Sequence, residues 1–181
     1  MGLDQYLKAN VYVGAKYRRV KQNVLEVTKT LYNENEIVHF DDCKEYPTHN
    51  IGYIIYDIGY WRKCNWVHKW FVDNVQSGKD DCEEYTVSEQ KLDELNKVCE
   101  QILNASNDYE FGKKGAKKTL LKTIDELLPP REGFFFGAVD MQDDRNLEYY
   151  IQSIVETRGF IELAKNYIKE FDAVIYYQSS W

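Results

Sequence analysis

The sharpest change of period along the chain falls at residues 51–76. Ile51 to Gly59 (IGYIIYDIG) is rich in β-branched and aromatic residues and ends on a glycine, the pattern of a buried strand. Tyr60 to Gln76 (YWRKCNWVHKWFVDNVQ) follows directly and holds three of the chain's four tryptophans. At about 3.6 residues per turn, it places Tyr60, Cys64, Val67, Phe71 and Val75 on one stripe and Trp61, Asn65, His68 and Val72 on a second. Two adjoining stripes, one carrying an amide and an imidazole, predict a core helix over 60–76 with polar groups built into it.

On the N-terminal side, residues 1–50 read as β structure. Leu3 to Val13 carries Leu7, Val11 and Val13 ahead of Gly14, and Val24 to Tyr32 alternates Leu25, Val27 and Leu31 with Glu26, Thr28 and Thr30. Glu36 to Phe40 is a short third strand, a helix within 15–30 competes with this reading, and Asp41 to Asn50 with Pro47 is a loop. Beyond the central helix, Ser88 is placed as an N-cap with Val87 and Leu92 as its staple. Leu92, Leu95, Val98, Cys99 and Ile102 then predict an amphipathic helix over 88–104.

Residues 105–118 form a polar loop. A helix over 119–128 follows and is stopped by Pro129-Pro130. Gly133-Phe134-Phe135-Phe136-Gly137 reads as a strand apolar on both faces. Asp143 or Asp144 caps a last helix over 144–170, with Leu147, Tyr150, Ile151, Ile154, Val155, Arg158, Ile161, Ala164 and Ile168 on its buried stripe. Gly159 weakens its middle by about 1 kcal/mol relative to Ala. Ala173 to Tyr177 is a closing strand, with Trp181 docked into the body. The sum is one α+β domain over 1–181, a mainly antiparallel sheet packed against three or four helices.

Composition narrows the functional classes. Aromatic residues make up 15% of the chain, with 15 Tyr and 8 Phe, enough to fill the core and leave tyrosines for an adhesive surface. A net charge of −7 argues against general binding to nucleic acid or anionic membranes and suits a basic partner. No segment has the length of a membrane span and the start lacks a signal peptide, so an intracellular protein is expected. Cys43, Cys64, Cys82 and Cys99 are scattered singly, as reduced thiols are.

Chemistry-bearing residues fall into three groups. His68 with Asn65 and Arg62 is the best polar constellation: lined by Tyr60 and Trp61, His68 would act as general base and Arg62 as anion binder. The competing reading is a buried imidazole and amide satisfying backbone groups. Lys113, Lys114, Lys117 and Lys118 form the one basic patch, without P-loop spacing. The carboxylates gather at Asp41-Asp42-Glu45, at Asp80, Asp81, Glu83 and Glu84, and around Asp140–Glu148, without EF-hand spacing. Asp80, Asp81 and Glu84 with a histidine would be the only metal set, and no cofactor is expected. Nucleophile and nucleotide motifs such as GxSxG and GxGxxG are absent.

Several of these segments together carry a resemblance. Met1-Gly2-Leu3-Asp4-x-Tyr6-Leu7, Gly59-Tyr60-Trp61-Arg62-Lys63-x-Asn65-x-x-His68-x-Trp70-Phe71, Asp81-Cys82-x-x-Tyr85-x-Val87, Gly133-Phe134-Phe135-Phe136-Gly137 and Tyr176-Tyr177-Gln178-Ser179-Ser180-Trp181 resemble a set of small phage, prophage and bacterial proteins. That family has no activity from which a catalytic residue follows. It implies a bacterial-host cytoplasm and a phage accessory role, typically binding and disabling a host defence protein such as a CRISPR nuclease. The expected contacts are Asp80, Asp81, Glu83 and Glu84 with the lysine loop 113–118. The alternative is a small enzyme or ligand-binding domain with a pocket around Arg62, Asn65, His68 and the GFFFG strand.

Overall fold

The computed structural model describes residues 2–12, 53–132 and 139–181. The expected strands at 24–32, 36–40 and 133–137, the loop at 41–50 and the Asp41–Glu45 carboxylates lie outside them. The order is β1 (Asp4–Tyr12), β2 (Tyr53–Arg62), α1 (Asn65–Asn74), β3 (Tyr85–Val87), α2 (Glu89–Glu110), α3 (Ala116–Leu127), α4 (Asp144–Phe171) and β4 (Val174–Ser180). The strands form one antiparallel sheet in the order β2-β1-β4-β3. This is the single α+β domain that the patterning predicts.

The first strand alternates half-buried and buried positions, and Leu7, Ala9 and Val11 point into the core with Ile58, Trp61, Ile175 and Tyr177 from the neighbouring strands. Helix α4 runs against β1, β2 and β4, while α2 packs between α4 and α3. Caps placed from the sequence hold: Ser88 Oγ accepts from Lys91 N at 3.3 Å and Asp143 Oδ1 from Arg145 N at 2.9 Å. Both side chains satisfy an N–H that would otherwise lack a partner in the first turn.

Several boundaries differ from the sequence pattern. Tyr60, Trp61 and Arg62, expected in the first turn of the central helix, are the end of β2, because β1 supplies Tyr6, Gln5 and Asp4 as their ladder partners. Lys63, at φ 58°, then turns the chain, its N–H bonded to Leu3 O at 2.7 Å, and the helix starts only at Asn65. Tyr60 is consequently exposed, not core. Helix α2 continues beyond Asn104 to Glu110 because Ser106 is buried and Tyr109 packs against the core. Helix α3 begins at Ala116, so Lys117 and Lys118 are helical and only Lys113 and Lys114 remain in the turn.

The buried face of α4 is rotated from the predicted stripe. Ser153 and Thr157 are inside while Val155 is 48% exposed. The cause is the pair of tryptophans facing this helix. Trp66 Nε1 donates to Ser153 Oγ at 3.0 Å and Trp61 Nε1 to Thr157 Oγ1 at 2.9 Å. The two hydroxyls in turn donate to Tyr150 O and Ser153 O, each at 2.6 Å, so every polar group in the seam is satisfied.

Candidate functional site

Arg62, Asn65 and His68 belong to one turn and helix start, yet their side chains serve separate partners. Arg62 is exposed, and its carbonyl accepts from Tyr149 Oη at 2.5 Å. Asn65 is 1% exposed and its Oδ1 accepts from Arg131 N at 3.0 Å, tying down the segment after the two prolines. His68 is 4% exposed: Nδ1 lies 2.8 Å from Tyr177 Oη and Nε2 3.0 Å from Asp80 Oδ2. Tyr177 Oη also donates to Gln5 Oε1 at 3.1 Å, and Gln5 Nε2 donates to Cys64 O at 3.2 Å. This chain of bonds links β4, β1, α1 and the α1–β3 connection. It leaves neither imidazole nitrogen free to take a substrate proton. Trp181 sits beside it, its ring 6.3 Å from that of His68.

The nearby thiol offers no nucleophile. Burial pushes Cys64 up to about 11, and its Sγ rests 3.6 Å from Tyr149 Oη. Cys99 is pushed up to about 12 by the same cause. The acidic set is likewise engaged: Asp80 with His68, Asp81 Oδ2 accepting from Tyr85 Oη at 2.8 Å, and Glu84 Oε1 accepting from Lys8 Nζ at 2.6 Å. Among the described residues no group of three His, Cys, Asp or Glu side chains is placed to hold a metal ion.

The lysine group lies away from the sheet, at the α2–α3 turn. Lys113 pairs with Asp108 at 2.5 Å, and Lys117 bridges Asp144 Oδ1 at 2.7 Å and Gln142 O at 2.8 Å. Lys114 and Lys118 are exposed. An open groove of about 590 Å³ runs along α3, lined by Lys117, Lys118, Leu121, Lys122, Asp125 and Gln142.

A further feature is the outer face of the sheet. Opposite residues in antiparallel pairs share a face, which puts Tyr60 beside Tyr6, Asp57 beside Lys8, Ile55 beside Asn10 and Tyr53 beside Tyr12. On the other flank Gln178, Tyr176 and Val174 complete the same rows. Tyr53 is 61% exposed, Tyr12 56% and Tyr60 47%. The rings stand in pairs, with centroids 5.5 Å apart for Tyr6 and Tyr60 and 5.2 Å for Tyr12 and Tyr53. Asp80, Asp81, Glu83 and Glu84 precede β3 at one edge of the sheet and give that rim a negative charge. The sequence predicts an adhesive tyrosine surface without placing it on this face, because the reading of β1 follows the buried positions 7 and 11. The complementary set Tyr6, Lys8, Asn10 and Tyr12, at the same period of two, was the available signal.

Fold and site together define a helix-backed antiparallel sheet with an aromatic outer face. No protein-family model, curated protein or solved structure matches the chain. No helix among the described residues is long and apolar enough to cross a membrane.

Proposed function

We propose that this protein works by binding and not by catalysis: a phage-type accessory protein of the bacterial-host cytoplasm that holds and disables a basic, nucleic-acid-handling defence protein such as a CRISPR nuclease. The observation that carries this reading is the outer sheet face, where Tyr12, Tyr53, Ile55 and Tyr60 stand exposed. Tyrosine is among the residues enriched at protein interfaces, because each ring covers a large area at little entropy cost.

The charge distribution fits the same partner class. Asp80, Asp81, Glu83 and Glu84 flank β3, and a net −7 steers the protein toward a positive groove. Lys113, Lys114, Lys117 and Lys118 supply a second, separate contact for the partner or its bound nucleic acid. His68, Asn65 and Arg62 serve in this reading to fix the turn from β2 into α1.

The test is a cleavage assay with purified CRISPR nucleases loaded with guide and target, titrated with the protein, alongside a pull-down from host lysate. Dose-dependent loss of cleavage with a stable complex is the expected result. Retention of a small metabolite, with no nuclease inhibited and no host protein held, would sink the reading.

A further inference from the structure

The connection from α1 to β3 is held differently from the rest of the domain. Residues 77–84 (SGKDDCEE) contain no aliphatic or aromatic side chain, and all of them except the half-buried Cys82 are exposed. The ends are fixed, Gln76 by burial and Tyr85 by pairing with Tyr177 in the ladder. Gly78 N reaches Val72 O at 2.8 Å and Lys79 N reaches Gln76 O at 3.1 Å, while residues 80–84 are tied by side chains. Segments with few buried apolar contacts sit at the low end of local opening free energy.

Side chains from three core elements close this segment. His68 Nε2 on α1 lies 3.0 Å from Asp80 Oδ2, Gln178 Nε2 on β4 donates to Cys82 O at 3.0 Å, and Lys8 Nζ on β1 donates to Glu84 Oε1 at 2.6 Å. Lys8 also donates to Gln178 Oε1 at 2.7 Å, so two of the three brace each other. The Trp181 backbone N–H adds a bond to the Cys82 sulfur. Against these ties stand Ser77 at φ 55° and Cys82 at φ 61°, left-handed conformations that side-chain-bearing residues hold at a cost and give up on opening.

We propose that residues 77–84 are a latched strap, which opens as a unit while the sheet and helices stay folded, with His68, Gln178 and Lys8 as its latch. Opening parts Asp80 from His68 and Glu84 from Lys8. The latch therefore sets how much of the rim's negative charge is free to meet a cation from outside the chain. The strap stands on its own contacts and does not depend on the target class proposed above.

The experiment is backbone ¹⁵N relaxation dispersion and heteronuclear NOE on the full chain, comparing the amides of 78–84 with those of β1 and β4. The Asp80 side chain is 44% exposed, so Asp80→Ala cuts the bond to His68 without opening a cavity in the core. It should raise the open population about tenfold, the contribution of one hydrogen bond to a charged group. Gln178→Leu removes a neutral bond and should raise it about fivefold. The double variant should show low NOE values confined to 78–84, while β1 and β4 keep those of the wild type. A strap that stays as rigid as the sheet in the double variant would overturn the proposal. So would exchange that rises equally in β1 and β4, because the segment would then open only with the whole domain.

Discussion

His68 Nδ1 and Tyr177 Oη meet at 2.8 Å inside the core, and the hydroxyl's single proton is committed to Gln5 Oε1. Nδ1 is therefore the donor to Tyr177, while Nε2 faces the Asp80 carboxylate. Replacing His68 by Ala removes both bonds and leaves the buried Tyr177 hydroxyl with Gln5 alone, beside a cavity. The expected cost is about 3 kcal/mol, a large share of a stability of roughly 5–15 kcal/mol. Urea melts should show it.

The indole bonds to α4 give a second prediction. Thr157→Val keeps shape but leaves Trp61 Nε1–H buried without an acceptor, for a loss of about 1–3 kcal/mol. Ser153→Ala does the same to Trp66. In a double-mutant cycle, Trp61→Phe and Thr157→Val should couple by about 1 kcal/mol. An additive result would show that the bond contributes nothing net.

Gly59 is required by close approach and not by backbone angle. A Cβ there would stand 2.8 Å from Phe160 Cγ and 2.9 Å from Cδ2, and that ring is itself fixed edge-on against Trp61 at 5.1 Å. Gly59→Ala should cost about 1–3 kcal/mol by overpacking. Phe160→Ala should recover part of that loss when added to Gly59→Ala, although it is destabilising alone, and thermal melts of the four proteins decide it.

Alkaline stability follows from the buried thiols. Burial raises Cys64 from 9.0 to about 11 and Cys99 from 9.0 to about 12, so the fold favours their protonated forms. Their contribution is intact below pH 9, where folded and unfolded thiols are both neutral. It is lost as pH climbs from 9 through 11 and 12, because only the unfolded chain gains from ionising. Tyr150 and Tyr177, pushed well above 10.0 by burial, steepen the loss past pH 10. Melting temperatures should fall above pH 9, and Cys99→Ala, somewhat less stable at pH 7, should show a shallower fall.

The helices were legible because their signals are local. The spacing of Leu92, Leu95, Cys99 and Ile102 with Ser88 ahead of it specifies α2, and the prolines at 129–130 follow the end of α3. Trp61 was assigned to the right layer by the wrong element: apolar spacing near Tyr60 fits a helix as well as a strand, and only pairing with Gln5 decides between them. Ser153 and Thr157 were invisible for a related reason, since a hydroxyl on a helix gains its meaning from the indole across the seam. His68 stood out at once, but its partners Tyr177 and Gln5 are separated from it by 109 and 63 positions. No spacing rule reaches that far.

Strand β1 lies between β2 and β4, and β3 joins the sheet only through β4. β1 and β2 precede β4 in sequence by more than a hundred residues, so the other edge of β1, with Leu7 and Ala9 pointing inward, is paired only once Val174–Ser180 is made. Such late closure between distant segments is slow and exposes an unpaired edge. Tyr177, the anchor of the His68 network, thus belongs to the last strand in sequence, and the network closes only when that strand joins β1.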